Sequence, residues 1–101
     1  MFELTFLVPL ADNDGITFTP AHHDQFEATV VEVFGGFTRL GLVVGGWSDG
    51  KVIYHDTTMA YVVALKSITD GARVANIVAF AKAHFRQEAI YVRYLGLAEI
   101  L

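Results

Sequence analysis

Residues 37–66 read FTRLGLVVGGWSDGKVIYHDTTMAYVVALK, and the reading of this stretch decides the fold. Ser48-Asp49-Gly50 is a hairpin-turn signal, because glycine accepts the left-handed backbone that tight turns between strands require. Before it, Phe37–Trp47 is rich in β-branched and aromatic residues, although Gly41, Gly45 and Gly46 interrupt the run. After it, Lys51–Lys66 forms a long second arm. Val52, Tyr54, Val62 and Ala64 fall on one face of that arm, and Ile53, Met59, Tyr61 and Leu65 on the other. A strand apolar on both faces is expected to be covered on both. His55-Asp56-Thr57-Thr58 breaks the arm with polar groups.

Working outward, Phe2–Leu10 alternates, with Phe2, Leu4, Phe6 and Val8 on one face, and reads as a strand. Thr19-Pro20 starts a helix with a hydroxyl cap and a proline at the first position, where its missing N–H costs nothing. Phe26, Val30, Val33 and Phe34 follow at helical spacing, and Gly35-Gly36 stops the helix. Asp70 caps a second helix whose buried stripe is Val74, Ile77, Val78, Ala81 and Phe85. Ala72, Asn76, Ala79 and Ala83 form a second stripe of small residues, explained either by helix propensity or by a neighbouring subunit. Glu88–Leu95 reads as the last strand, Gly96 as a bend, and Leu97–Leu101 as a short extra strand.

The resulting order, β-α-β-β-α-β, is a ferredoxin-like α+β domain over residues 1–101: one antiparallel sheet with two helices on one face. The chain of 101 residues is 53% hydrophobic and only 18% charged. With glycine counted in place of tyrosine, its apolar share rises further above the usual value of about 45–50%. So small a domain has little interior in which to hide that excess. The sheet face away from the helices is therefore expected to pack on other copies, as a face-to-face dimer or as a trimer around an axis.

Composition also excludes partners. The net charge is −4, the pI is about 5.4, and the seven Lys and Arg residues are scattered. No basic stripe of the kind that binds nucleic acid is present. No apolar run reaches the ~18–20 residues that span a bilayer, and Met1–Leu10 lacks the basic start of a secretion signal. The absence of Cys excludes thiolate catalysis and disulfides and suits the cytoplasm.

Candidate chemistry is sparse. His22-His23-Asp24 is a poor chelate, since neighbours on one helical turn point apart, so no metal is expected. His55 and His84 could join a site only through folding. The only serines, Ser48 and Ser67, lie in or beside turns, which argues against a covalent acyl intermediate. Gly45-Gly46 weakens a strand, and either a bulge or the close approach of a ligand accounts for it. Gln87-Glu88 stands where the second helix passes into the last strand. Such a pair suits the hydroxyls of a ribose or an amino group, or else it is a solvated strand start beside Arg86. Asp56 with Trp47 or Tyr54 makes a cation-receptive pocket, or else Asp56 keeps an edge strand soluble.

The element order resembles the PII-like proteins, ferredoxin-fold trimers that bind adenine nucleotides in clefts between subunits. The segment Phe85-Arg86-Gln87-Glu88-Ala89-Ile90-Tyr91-Val92 resembles the helix-to-strand junction of the phage-borne S-adenosylmethionine lyases. In that family an acidic residue follows the hairpin, and Asp56 is the nearest counterpart. The resemblance implies a homo-oligomer, a trimer rather than a dimer, and an adenosyl substrate between subunits. Its implied catalytic residues are Glu88 and Asp56. Its implied substrate contacts are Gly36, Phe37 and Thr38 for the adenine edge, Trp47 and Tyr54 for the sulfonium, and Gln87 with Glu88 for the ribose or the amino end. A sulfonium is already an activated leaving group, so neither a protein nucleophile nor a cofactor is required. Two rival expectations are a non-enzymatic nucleotide-binding trimer and a dimeric α/β-barrel protein holding a small apolar ligand. The short Ser48–Gly50 turn weighs against the nucleotide sensor, which signals through a long loop at this place.

Overall fold

The computed structural model describes residues 1–67 and 70–97. Its elements are β1 (Phe2–Pro9), α1 (Pro20–Phe34), β2 (Thr38–Ser48), β3 (Ile53–Leu65), α2 (Gly71–His84) and β4 (Tyr91–Leu97). The order β-α-β-β-α-β is therefore the ferredoxin-like arrangement. The sheet runs β2-β3-β1-β4, with every neighbouring pair antiparallel.

Local chemistry sets the helix ends. The Thr19 hydroxyl accepts the His22 backbone N–H at 3.2 Å, with Pro20 as the first helical residue. Gly35 takes the left-handed conformation at φ 84° and donates its N–H to the Val31 carbonyl at 2.7 Å. Asp70 stands at the cap position of α2, but its carboxylate caps nothing. Its backbone carbonyl instead accepts the N–H groups of Arg73 and Val74. The last strand starts at Tyr91, later than Glu88, because the end of α2 is still closing at that point. The Gln87 N–H reaches back to the Lys82 carbonyl at 2.8 Å, and Arg86 is left-handed at φ 54°. β4 continues through Gly96 to Leu97, taking one extra residue against β1 between Tyr94 and Leu97. The expected extra strand over 97–101 lies, beyond Leu97, outside the described residues.

Alternation divides the sheet into two faces. Leu4, Phe6 and Val8 from β1 and Tyr61, Val63 and Leu65 from β3 point to one side. There they meet Phe26 and Val30 of α1 and Val74, Ile77 and Ala81 of α2, with Phe85 closing the end of α2. Phe26 packs edge-on against Phe6 and Phe85, at centroid separations of 5.7 and 5.2 Å. Each such side chain contributes about 1.5–3 kcal/mol on leaving water. The small-residue stripe of α2, Ala72, Asn76, Ala79 and Ala83, is exposed in the single chain.

The hairpin outgrows this core. The last β1–β3 pair is Pro9 with Thr58, so Ile53–Thr57 pairs only with β2 residues Val44–Ser48. The result is a two-stranded arm. Val44 is 69% exposed and Ile53 68%, from opposite strands of the arm. The expected cover on both faces of the long arm thus fails within one chain: Tyr61, Val63 and Leu65 are buried on the helix side, but Val62 is half-buried and Ala64 exposed on the other, and Ile53–Thr57 is covered on neither face. Gly45 and Gly46 pair in unbroken register with Asp56 and His55, so the bulge is not there. It falls at Leu40, between the pairs Arg39–Tyr61 and Gly41–Ala60, and Gly41 absorbs it at φ 108°.

Candidate functional site

The sheet face away from the helices carries an open groove of about 1180 Å³. Thr5, Leu7 and Ala60 line its middle, Trp47 and Asp56 its arm end, and Gln87 and Arg93 its β4 end. A smaller cavity of about 260 Å³ lies at the opposite end of β1, among Phe2, Leu65, Val74 and Tyr94, with Glu3 and Asp70 beside them. None of the expected site residues reaches it.

At the arm end, Trp47 and Tyr54 are directly opposed in the hairpin register and stack at 4.5 Å, 20° from parallel. The Trp47 indole N–H donates to Asp56 Oδ2 at 3.1 Å, and the Tyr54 hydroxyl donates to Asp49 Oδ2 at 3.2 Å. Asp49 also accepts the N–H groups of Val52 and Lys51. These backbone bonds hold its carboxyl below the usual range and stiffen the turn that carries the aromatic pair. A carboxylate at an indole edge, beside exposed ring faces, is an arrangement chemically able to receive a cation. Gly45, opposite Asp56, leaves open space where a side chain would stand.

The other expected residues are not gathered around this point. Gln87 lines the groove, but its amide nitrogen donates to the Phe85 carbonyl at 3.0 Å. Glu88 is exposed and outside the groove. Arg86, next to Gln87, turns away to Asp12, at 3.1 Å, and covers the Phe18 ring. Asp12 is held below its ordinary range by the Ile16 and Asp14 N–H groups and by that guanidinium. Gly36, Phe37 and Thr38 lie at the start of β2, with the Phe37 ring edge-on to Tyr61 at 5.6 Å on the helix side. Thr38 and Trp47 are nine residues apart on one strand, which is about 30 Å.

Three groupings escaped the sequence reading. His22 and His84, distant in sequence, stack on each other between the two helices. Glu27, buried on α1, accepts from Arg39 Nε at 2.8 Å, from Arg39 Nη2, and from the Tyr61 hydroxyl at 2.6 Å. Burial disfavours its charge, but those donors prevail and hold the carboxyl below its ordinary range. Burial and the same carboxylate push the Tyr61 phenol well up. Thr5 lies on the open face of β1 with its hydroxyl buried and unpartnered. Its polar side chain opposite the Phe2-Leu4-Phe6-Val8 stripe was the available signal. Among the described residues, no group of three or more His, Asp and Glu side chains is placed to hold a metal ion, and no helix is long and apolar enough to cross a membrane.

No family model matches the chain, and no curated protein matches it. Solved structures do share its fold. The divalent cation tolerance protein Cut A1 from Thermus thermophilus superposes with a TM-score of 0.68 at 11% identity, over 99% of this chain and 86% of that one. A phage SAM lyase, solved in complex with S-methyl-5'-thioadenosine, matches with a TM-score of 0.63 at 17% identity, over 92% and 78%. The divalent ion tolerance protein CutA1 from Ehrlichia chaffeensis gives 0.63 at 7% identity, over 99% and 84%. The chain therefore has the PII-like ferredoxin fold that these proteins share.

Proposed function

We propose that this chain is an S-adenosylmethionine lyase-like enzyme that works in the cytoplasm at clefts between the subunits of a homotrimer. The observation that carries the reading is the Trp47–Asp56 pair at the groove, an aromatic face and a carboxylate suited to a sulfonium cation. The fold likeness to a phage SAM lyase supports it. The separation of about 30 Å between Thr38 and Trp47 exceeds what one adenosyl ligand bridges, so a site using both ends of β2 draws them from two copies. The apolar excess of the exposed arm supplies the surface for that assembly.

In the proposed reaction a carboxylate oxygen of the substrate attacks its own γ-carbon. The carbon–sulfur bond breaks, its electron pair returns to sulfur, and neutral methylthioadenosine leaves homoserine lactone behind. The protein folds the substrate into the attack conformation and excludes water. Asp56, with Trp47 and Tyr54, faces the sulfonium. Gln87 and Glu88 hold the ribose hydroxyls or the amino end, and backbone at Gly36–Thr38 reads the adenine edge.

Incubation with S-adenosylmethionine and chromatography for methylthioadenosine tests this reading. Product that falls at least tenfold in Asp56→Asn and Glu88→Gln supports it. Substrate recovered intact by an otherwise folded protein overturns it. An adenine nucleotide bound and released uncleaved would then favour the non-enzymatic binding protein.

A further inference from the structure

Thr5 poses a problem in the middle of the groove. It is only 3% exposed, yet its hydroxyl has no hydrogen-bond partner among the described residues. Buried hydroxyls are ordinarily satisfied, and valine would fill the same space in a strand at no polar cost. The strand register gives the context. Thr5 stands opposite Val62 of β3 on one side and Arg93 of β4 on the other. Directly opposed residues on one face keep their Cβ atoms about 4.5–5.5 Å apart. Arg93 is exposed, and unlike Arg39 and Arg86 it makes no ion pair among the described residues.

A guanidinium presents two parallel N–H groups that match the two oxygens of a carboxylate, and a neighbouring hydroxyl adds a third donor. We propose that Thr5 and Arg93 form a carboxylate subsite on the open face of the sheet. Given the adenosyl reading above, on which the ligand's identity rests, the occupant is the amino-acid carboxylate of the sulfonium substrate. Only a three-carbon chain separates that carboxylate from the sulfonium. In β3, Asp56 is six residues beyond Val62, the partner of Thr5, a distance of about 20 Å. The Trp47–Asp56 pair that meets the same ligand therefore comes from a second copy. Arg93 and Thr5 orient the attacking oxygen from one subunit while the neighbour's arm faces the leaving sulfur.

Calorimetric titration of the intact protein with S-adenosylmethionine, methylthioadenosine and methionine tests the subsite. Arg93→Gln and Thr5→Val are each expected to weaken S-adenosylmethionine at least tenfold. Methylthioadenosine, which has no carboxylate, should change by less than twofold. Thr5→Ser, which keeps the hydroxyl, should bind as the wild type does. Thr5→Val should melt no lower than the wild type, because it removes an unpartnered group. Equal losses for both adenosyl ligands, no loss for either, or a lowered melting temperature in Thr5→Val would overturn the subsite. If the wild type binds neither adenosyl compound, the lyase reading falls separately. The subsite then stands only if methionine binds and loses binding in Arg93→Gln, and it falls if methionine does not bind.

Discussion

His22 and His84 hold each other reciprocally: Nε2 of each imidazole lies on the backbone carbonyl oxygen of the other, at 2.6 and 2.7 Å, with the rings stacked at 3.7 Å. A carbonyl oxygen only accepts, so both Nε2 atoms must carry hydrogen. The pair ties the first turn of α1 to the last residue of α2, 62 positions away in sequence. Either His22→Ala or His84→Ala should cost about 1–2 kcal/mol in denaturant unfolding. Because each ring needs the other's backbone position, the double variant should lose little more than either single one. Simple additivity in the cycle would contradict this mutual dependence.

Glu27 should be the most costly polar residue to alter. Its carboxylate joins α1 to Arg39 at the start of β2 and to the fully buried Tyr61. Glu27→Gln keeps the shape but removes the charge, and a loss of about 1–3 kcal/mol is expected. Its carboxyl lies below the ordinary value of 4.5 when folded. The stabilisation it brings is therefore present above that value and lost as pH falls through the lower folded one. Acid unfolding followed by circular dichroism should lose steepness below that value in the Gln variant, which has no carboxyl left to protonate there.

A second pH window belongs to His23. Burial, reinforced by the nearby His22, holds its imidazole below the ordinary value of 6.5. The folded state thus favours the neutral ring, and stability is full above 6.5 and declines as pH falls below it. Melting temperature should drop between neutrality and pH 5, and His23→Gln should flatten that slope. An unchanged slope would mean that other groups carry it.

Two glycines of β2 should behave oppositely on substitution by alanine. Gly41 sits at φ 108°, so Gly41→Ala strains the backbone although open space surrounds it, at about 1–2 kcal/mol. Gly45 has no such conformation and open space above it, so Gly45→Ala should leave the melting temperature unchanged or raise it. Because Gly45 lines the groove beside Asp56, the same change should weaken ligand binding.

The arm supplies a test of assembly. Val44 and Ile53 expose apolar side chains where, among the described residues, β2 and β3 pair only with each other. Val44→Lys should lower the mass measured by light scattering towards that of one chain, with the secondary structure retained. An assembly of unchanged mass would move the interface away from the arm.

Much of the fold was legible because its cues are local. Thr19-Pro20 and Gly35 bound α1, the Phe2-Leu4-Phe6-Val8 alternation marks β1, and Ser48-Asp49-Gly50 turns the hairpin, each within a few residues. The start of β4 was misread because Ala89 and Ile90 have strand-like composition while the closing turn of α2 still governs the backbone before them. Gly45-Gly46 allowed either a bulge or the close approach of a ligand; the bulge occurs instead at Leu40, since any of three glycines satisfies the composition and only the register chooses among them. Of the candidate site, Trp47, Tyr54 and Asp56 were brought together by hairpin pairing alone. Glu88 and Gly36–Thr38 were not, because adjacency at an element end says nothing of which face a side chain takes.

The sequence by itself determined the order of elements, the buried faces of β1, α1 and α2, and the excess of apolar surface. These follow from periodicity and turn chemistry, which act over a few residues. Only the tertiary structure decided that the excess projects as an arm beyond β1, and that the groove has Trp47 and Asp56 at one end and Arg93 at another. The same is true of His22 meeting His84, Arg39 meeting Glu27, and Thr5 lying unpartnered opposite Arg93. Each is a contact between residues on different elements, set by strand register and helix packing, and no local pattern encodes it.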